Sequence, residues 1–148
     1  MAIKGRPRGE MMTDSVPEEN KALIRLVFEA FNRGNLAIVD DIFSPRFVDL
    51  STPDQPIGPQ GVKDYFTMVR TGFPDIQVVI DVLIAEGDRV ALRTVWRGTH
   101  LGEYEGVAAT GKQVVRTMIQ IFRIADGKIA EEWNAGGSLL HSVQRDSA

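Results

Sequence analysis

The stretch VVRTMIQIFRIADGKIAEEWN, residues 114–134, carries the strongest structural signal in the chain. Apolar and polar residues alternate on both sides of Asp126-Gly127, and Asp-Gly is among the strongest signals for a two-residue turn between antiparallel strands. The stretch is therefore predicted to form a β-hairpin. Because both faces of its first arm are largely apolar, we expect each face to be covered. If the fold encloses a pocket, this hairpin forms one wall.

Successive side chains of a strand point to opposite faces, so each arm can be divided into two sets. On the second arm, Glu132 and Asn134 share one face, whereas Glu131 and Trp133 share the other. One face of the first arm holds the even-numbered residues, which are Val114, Arg116, Met118, Gln120 and Phe122. The polar residues in these sets are the ones whose role has to be decided.

Length and composition indicate one ordinary globular domain. The chain has 148 residues, of which 43% are hydrophobic and 25% charged, enough for a core without metal or disulfide staples. The net charge of -3 and the absence of one dominant basic patch give no reason to expect a nucleic-acid partner. Without Cys there are no disulfides or thiolate chemistry, and two His residues disfavour a zinc site. We expect no metal.

The first residues do not resemble a targeting segment. They include Lys4, Arg6 and Arg8 and lack the apolar run of a signal peptide, and no later stretch is long enough to span a bilayer. We expect a soluble cytoplasmic protein without membrane contact. Residues 1–14 are predicted to be a flexible extension and residues 15–148 a single domain.

Three helices are predicted in the first half of the chain. Ser15 and Glu18 fit a capping box, which predicts a helix from Ser15 to about Arg33. Asn35 can cap a second, shorter helix that Ser44-Pro45 ends. A short strand at residues 47–50 precedes a third helix at residues 60–72.

The second half is predicted to be β-structure. Residues 76–85 and 90–98 are rich in Val and Ile and flank the turn at residues 86–88, so they are predicted to pair as a hairpin. A Gly-containing connection at residues 100–112 leads to the 114–134 hairpin, and a short amphipathic segment at residues 139–143 follows. Helices followed by antiparallel strands indicate an α+β fold, with helices packed on one face of a curved sheet.

Several motifs together resemble the SnoaL-like polyketide cyclases. They are FPD at residues 73–75, AEGDRVA at 85–91, RGTHLGE at 97–103, FRIADGKI at 122–129 and FEAFNRGN at 28–35. The resemblance covers about residues 19–143. It implies the cone-shaped nuclear transport factor 2-like (cystatin-like) fold, in which helices cover a strongly curved, mainly antiparallel sheet around a deep pocket, usually in a homodimer. This superfamily also holds isomerases, epoxide hydrolases, dehydratases and ligand-binding proteins, so the fold alone does not define the reaction.

The resemblance also locates a site. In these cyclases a pocket Asp on the final strand is general acid/base in an aldol ring closure, a His on the preceding strand assists, and no cofactor is needed. Alignment through the Asp126-Gly127 turn places the Asp position at Asn134 and the His position at Gln120. An amide cannot accept a proton from a carbon acid near neutral pH. A further pocket position, often Asn in the family, corresponds to Asp49.

Four residues are therefore candidates for the chemistry. Asp49 is a candidate base if an apolar cavity raises its pKa, and otherwise an acceptor for loop amides in residues 50–54. Glu132 is an alternative base, or else a surface carboxylate or a partner of Arg116. Gln120 and Asn134 are candidates to hold substrate oxygens, or else they fill a wet cavity.

Six further residues are candidates to bind substrate: Arg116, Met118, Tyr65, Trp96, Phe122 and His100. Arg116 suits a clamp on a carboxylate or enolate oxygen, although such an Arg more often closes an internal salt bridge. For His100, a loop or dimer-edge hydrogen bond is favoured over a ligand contact. The aromatic residues suit either the core or the cavity wall.

The predicted function is a cofactor-independent enzyme acting on an apolar, carbonyl-bearing small molecule, such as a polyketide or another secondary metabolite. The reaction stays open between aldol cyclisation, isomerisation, dehydration and epoxide opening. The alternative is a small-molecule-binding or regulatory domain that kept the fold without the chemistry. No phosphate-binding glycine motif is present, which disfavours a nucleotide ligand.

Overall fold

The computed structural model of the protein describes residues 8–140, with side chains described from residue 16 onward. Three helices and five strands are named within residues 8–140. They are α1 Arg8–Arg33, α2 Val39–Ile42, β1 Phe43–Asp49, α3 Pro59–Gly72, β2 Gln77–Glu86, β3 Arg89–Thr99, β4 Gln113–Ala125 and β5 Lys128–Ala135. The predicted third helix and both predicted hairpins are confirmed.

The five strands form one mixed sheet in the order β1-β5-β4-β3-β2. Strand β1 runs parallel to β5, and the other neighbours are antiparallel. The first strand of the chain therefore lies beside the last one. This long-range pairing decides which residues of β1 meet the β4–β5 hairpin.

The helices cover one face of this sheet, as the predicted α+β class requires. Phe31 of α1 lies at the centre of the packing, with its ring 4.7 Å from Phe66 of α3 and 5.3 Å from Trp96 of β3. Near the end of α1, the Asn32 side chain donates to the Val78 carbonyl (2.9 Å) and accepts from its amide (2.8 Å). Asn32 thus takes the place of a strand partner and holds α1 against β2. Among the described residues, no helix has the length and apolar character needed to cross a membrane.

The β4–β5 hairpin turns at Asp126 and Gly127, whose φ angles are 53° and 75°. Two positive φ values are typical of the type I′ turn, which matches the twist of the flanking strands. The even-numbered face of β4 is largely buried, whereas Val115 and Ile119 on the other face are 55% and 44% exposed. Within residues 8–140 of the single chain, the odd-numbered face of β4 thus has no covering element, and the expectation that this face is covered stays a prediction.

The beginning of α1 differs from the prediction. The helix starts at Arg8 rather than Ser15, and Pro17 lies inside it. The capping motif is a local signal, and the preceding residues, including Met11 and Met12, favour helix well enough to continue it upstream. The predicted extension at residues 1–14 thus overlaps the start of α1, while residues 1–7 and 141–148 lie outside the described residues.

The second helix and the first strand also differ from the prediction. Helix α2 is limited to Val39–Ile42, and Phe43 already begins β1, which continues through Ser44-Pro45. Phe43 pairs with Ile129 of β5 and packs edge-to-face on Phe47, with ring centroids 4.9 Å apart. The tertiary pairing with β5 therefore overrides the local helical pattern.

Candidate active site

A cavity of about 340 Å³ lies between the covered face of the sheet and the helices. Its walls are mostly apolar and aromatic, with Phe28 from α1, Tyr65 from α3, Trp96 from β3, and Met118 and Phe122 from β4. Polar side chains converge in one part of the wall, and these are Asp49, Gln120, Glu132 and Asn134. A largely apolar cavity with a few converging polar groups is the usual form of a small-molecule site.

A β-bulge in β5 decides which residues of this strand reach the cavity. Ile124 pairs with Ile129 next to the turn, but Arg123 pairs with Glu131, which leaves Ala130 as an extra residue. Beyond the bulge, Phe122 pairs with Glu132. Without the extra residue the uninterrupted register would pair Phe122 with Glu131, and a one-residue slip exchanges the two faces of a strand. The bulge therefore directs Glu132 into the cavity.

The parallel pairing of β1 with β5 places Asp49 beside Glu132. Ser51, just after β1, connects the two strands through hydrogen bonds. Its backbone amide donates to Asp49 Oδ1 (2.8 Å), and its hydroxyl accepts from the backbone amide of Asn134 (2.8 Å). Asp49 thus lines the cavity and also accepts a loop hydrogen bond, so both interpretations of this residue describe part of its position. Two carboxylates lie side by side in the cavity wall.

The surroundings of Glu132 favour its neutral form more than water does. Burial and then the charge of Asp49 raise the pKa of Glu132 to about 7, while hydrogen bonds from Gln120 and Asn134 act in the opposite direction. Gln120 Nε2 donates to Glu132 Oε2 at 3.0 Å. Glu132 is partly buried and lines the cavity. Near neutral pH this carboxyl group is therefore able both to accept and to return a proton.

The other titratable groups of the cavity are acidic. Burial raises the pKa of Asp49, although hydrogen bonds from Ser51 and Thr52 oppose the shift. Burial also raises the pKa of Tyr65 well above its usual range, so its phenol stays a neutral hydrogen-bond donor. Among the described residues no Lys, Arg or His side chain lines the cavity. The carboxylates of the wall thus have amide and hydroxyl partners instead of cations.

Eight of the ten predicted site residues line the cavity: Asp49, Tyr65, Trp96, Met118, Gln120, Phe122, Glu132 and Asn134. Arg116 does not. Its guanidinium Nη2 donates to the Gly136 carbonyl, where the chain leaves β5. The structure thus places this guanidinium group beside the backbone beyond β5, and the contact of Arg116 with substrate stays a prediction.

His100 also lies outside the cavity wall, and its predicted contact with substrate stays a prediction. It is fully buried, stacks on Phe73 with ring centroids 5.3 Å apart, and its Nδ1 lies 3.0 Å from Thr110 Oγ1. Its backbone pairs with Lys112 and Gly111 across the same connection. The loop hydrogen bond favoured for this residue is confirmed.

Among the residues that the sequence reasoning missed are two that hydrogen-bond to polar groups of the cavity wall. One is Ser51, described above, and the other is Thr94 of β3, which is fully buried and donates to Gln120 Oε1 at 2.8 Å. The available signal was the alternation of β3, which places Thr94 on the same face as Trp96. A Thr on the covered face of an apolar strand needs a buried hydrogen-bond partner.

Comparison with known proteins identifies the family. Residues 21–138 match the SnoaL-like polyketide cyclases. The chain belongs to this family. It is 31% identical over 114 residues to aklanonic acid methyl ester cyclase AcmA of Streptomyces galilaeus, covering 75% of this chain and 79% of that protein. It is also 30% identical over 105 residues to nogalonic acid methyl ester cyclase of Streptomyces nogalater, covering 69% and 78%.

Solved structures of the family share the fold. AclR of Streptomyces galilaeus superposes with a TM-score of 0.76 at 30% identity, over 88% of this chain and 96% of AclR. The nuclear transport factor 2-like architecture implied by the sequence motifs is therefore confirmed for this SnoaL-like protein.

Proposed function

We propose that this SnoaL-like protein is an acid/base enzyme that closes a ring in an apolar, carbonyl-bearing polyketide, with Glu132 as the proton acceptor. The supporting observation is the buried Glu132 carboxyl beside Asp49 in an otherwise mostly apolar cavity. Cyclases named for methyl esters of aklanonic and nogalonic acid are the similar proteins, so esters of this kind are the substrates to test first.

The proposed reaction needs only proton transfer. Glu132 removes a proton from a carbon next to a carbonyl group, and the resulting enolate carbon attacks a second carbonyl of the same molecule. The new alkoxide takes the proton back from Glu132, so the product is an isomer of the substrate. The phenol of Tyr65 and the amide of Asn134 are the donors proposed to stabilise the enolate oxygen. No cofactor takes part in these steps.

This assignment differs from the pattern of the relatives that the motifs resemble. Their Asp position is Asn134 here, and the acidic function moves two residues along the same face of β5 to Glu132. Asp49 then acts on Glu132 through its charge. Isomerisation, dehydration and epoxide opening remain alternatives for the same pair of carboxylates.

The test is turnover of aklanonic acid methyl ester and of nogalonic acid methyl ester, followed by chromatography with mass spectrometry in D₂O. Ring closure gives a product that elutes separately, and a carbon base exchanges the acidic hydrogen for deuterium even when closure fails. Glu132→Gln should lower the rate by about 10²- to 10⁴-fold, the usual share of a general base. Glu131→Gln, changed at the neighbouring position, should keep the wild-type rate. Equal rates in both variants would remove Glu132 from the mechanism.

A non-catalytic ligand-binding protein is the second candidate, because amides occupy both positions at which the relatives' motif has Asp and His. In that case an ester should bind at no more than one molecule per subunit and should be recovered unchanged, without deuterium. Isothermal titration calorimetry beside the exchange assay separates the two functions.

The same proposal includes a homodimer formed through the outer face of the sheet. On this face Val79, Ile119 and Trp133 are 57%, 44% and 44% exposed in the single chain. Light scattering after size exclusion should give twice the 16.4 kDa chain mass, and Ile119→Lys should reduce it to the monomer. Ile57→Lys, in an exposed loop, is the control that should stay dimeric. A monomeric wild-type protein would contradict this part of the proposal, and a cytoplasmic location likewise stays a prediction.

A further inference from the structure

Four side chains form a continuous hydrogen-bond chain that ends on Glu132. The Trp96 indole Nε1 donates to Thr94 Oγ1 (2.9 Å), Thr94 Oγ1 donates to Gln120 Oε1 (2.8 Å), and Gln120 Nε2 donates to Glu132 Oε2 (3.0 Å). Trp96, Thr94 and Gln120 are 2%, 0% and 4% exposed. The chain crosses from β3 through β4 to β5 inside the cavity wall.

The chemistry of the end groups sets the direction of these bonds. An indole N–H only donates, and an ionised carboxylate only accepts. The Thr94 hydroxyl therefore accepts a hydrogen bond from Trp96 and donates its own hydrogen bond to the side-chain carbonyl of Gln120. The NH₂ group of Gln120 then faces Glu132. A flipped amide would turn its oxygen toward the ionised Glu132 and leave the Thr94 hydrogen without this acceptor. A buried polar group that loses its partner is unfavourable, so the hydrogen-bond chain favours one orientation of the amide.

From this geometry we propose that Thr94 is a positioning residue for Glu132, which it controls by fixing the Gln120 amide as a permanent donor to the carboxylate. The proposal rests on the assignment of Glu132 as the proton acceptor of the proposed function. Thr94 itself does not line the cavity and does not touch substrate.

The groups around Glu132 explain why a fixed donor is needed. Asp49 faces Glu132 from β1, Tyr65 from α3, Gln120 from β4 and Asn134 from its own strand. Burial and Asp49 favour the protonated carboxyl, and only the two amides favour the carboxylate that works as a base. A freely rotating Gln120 could instead present its oxygen to the protonated carboxyl and stabilise that form.

The first test compares Thr94→Val with Thr94→Ser in the ligand-free protein. Carbon-13 NMR of the Glu side-chain carboxyl groups gives the pKa of Glu132 directly. Val has nearly the shape of Thr without the hydroxyl, so we expect the pKa of Glu132 to rise by roughly one to two pH units, the equivalent of one hydrogen bond to a charged group. Ser keeps the hydroxyl and should restore the wild-type pKa. A Thr94→Val pKa within a few tenths of a unit of wild type would overturn the proposal.

A second measurement uses the unmodified protein and does not depend on the folding of a variant. The two Trp residues give separate indole N–H signals, and Trp133, 44% exposed on the outer face, is an internal control for Trp96. If the chain transmits the protonation of Glu132, the Trp96 indole nitrogen shift should change with the same midpoint pH as Glu132, and the Trp133 shift should not. Titration of Glu132 without a change at Trp96 would also overturn the proposal.

Neither readout requires a substrate, so the two proposals fail separately. If the chain responds as described but neither ester is exchanged or converted, the positioning role stands and the proposed enzyme function fails. If Glu132→Gln abolishes turnover while Thr94→Val leaves the Glu132 pKa unchanged, the enzyme function stands and the role of Thr94 is wrong.

Discussion

The two faces of β5 place consecutive glutamates in opposite environments. On the outer face, Glu131 Oε1 lies 2.6 Å from the Nε of Arg123, and both side chains are about one-third exposed. On the inner face, Glu132 has amide donors and a second carboxylate as neighbours, and no cation from residues 16–140 lines its cavity. The same residue type thus forms half of a surface ion pair on one side, and on the other it lines a mostly apolar cavity with its pKa raised to about 7. The face of the strand and the neighbouring groups therefore influence the pKa of a carboxyl group more than the residue type does.

The largest difference between the faces should appear in stability. Phe122 is 2% exposed and packs on Phe28, with ring centroids 6.5 Å apart, whereas Ile119 on the outer face is 44% exposed. Phe122→Ala should lower the free energy of unfolding by about 3–5 kcal/mol because it removes a buried ring. Ile119→Ala should cost no more than about 1 kcal/mol per chain. Urea titration at chain concentrations low enough for the monomer measures both, and equal losses would contradict the different burial of the two side chains.

The next largest difference should appear in the pH dependence of stability, which Glu132 should influence and Glu131 should not. Because the pKa of Glu132 rises from 4.5 in the unfolded chain to about 7 when folded, the folded state binds the extra proton between these values. Stability should therefore fall as the pH rises from 4.5 to 7, by roughly 1–3 kcal/mol. Glu132→Gln should lose this share of the pH dependence, and Glu131→Gln should keep it. A variant Glu132→Gln with the wild-type slope in urea titrations from pH 4.5 to pH 8 would contradict the pKa assigned to Glu132.

Removing the Asp49 carboxylate should lower the pKa of Glu132 without abolishing turnover. Asp49→Asn removes the charge that raises the pKa of Glu132, so this pKa should fall by about one pH unit. The same NMR titration, and the pH dependence of turnover, should shift together toward lower pH. Asp54→Asn, in the loop that follows β1 and outside the cavity wall, is the matched control. Complete loss of turnover at every pH would instead make Asp49 the proton acceptor.

The smallest effect is expected on the outer face. A double-mutant cycle with Arg123→Ala and Glu131→Ala should give a coupling energy of about 0.2–1 kcal/mol, because partly exposed ion pairs gain little over hydration. High salt should reduce the coupling further. A coupling well above this range, measured by urea titration at low salt, would show that this pair is shielded from solvent and that the two faces differ less than the single chain indicates.

The resemblance and the local pattern together predicted much of the site. A local pattern does not show which distant residue a given side chain contacts, and this limited the interpretation of individual residues. Alternation along β4 correctly grouped Met118, Gln120 and Phe122, yet it also grouped Arg116 with them. Arg116 shares their side of the strand, but the Gly136 carbonyl, twenty positions later in the chain, takes up its guanidinium. The alternation of a strand specifies the face on which a side chain lies. It does not specify which residue from elsewhere in the chain contacts that side chain.

The errors at the ends of elements have two origins: the helix propensity of the preceding residues extends α1 upstream of Ser15, and the pairing of Phe43 with β5 ends α2. The capping motif at Ser15 and the helical pattern before Phe43 are real local preferences, and each was overridden. Thr94 was missed because its role depends on Gln120 and Trp96, one on a different strand, and such a hydrogen-bond partner is not visible in the residue itself.

The sequence by itself determined the α+β class, the Asp126-Gly127 hairpin, the family motifs and the alternation that makes one side of β4 apolar. These depend on turn chemistry and on side-chain periodicity, which act over a few residues. Only the tertiary structure decided that Ala130 bulges, that Glu132 rather than Glu131 enters the cavity, and that Asp49 lies beside it. These features arise when the first strand pairs with the last, because the free energy of a long-range contact depends on the whole sheet and the helices packed on it.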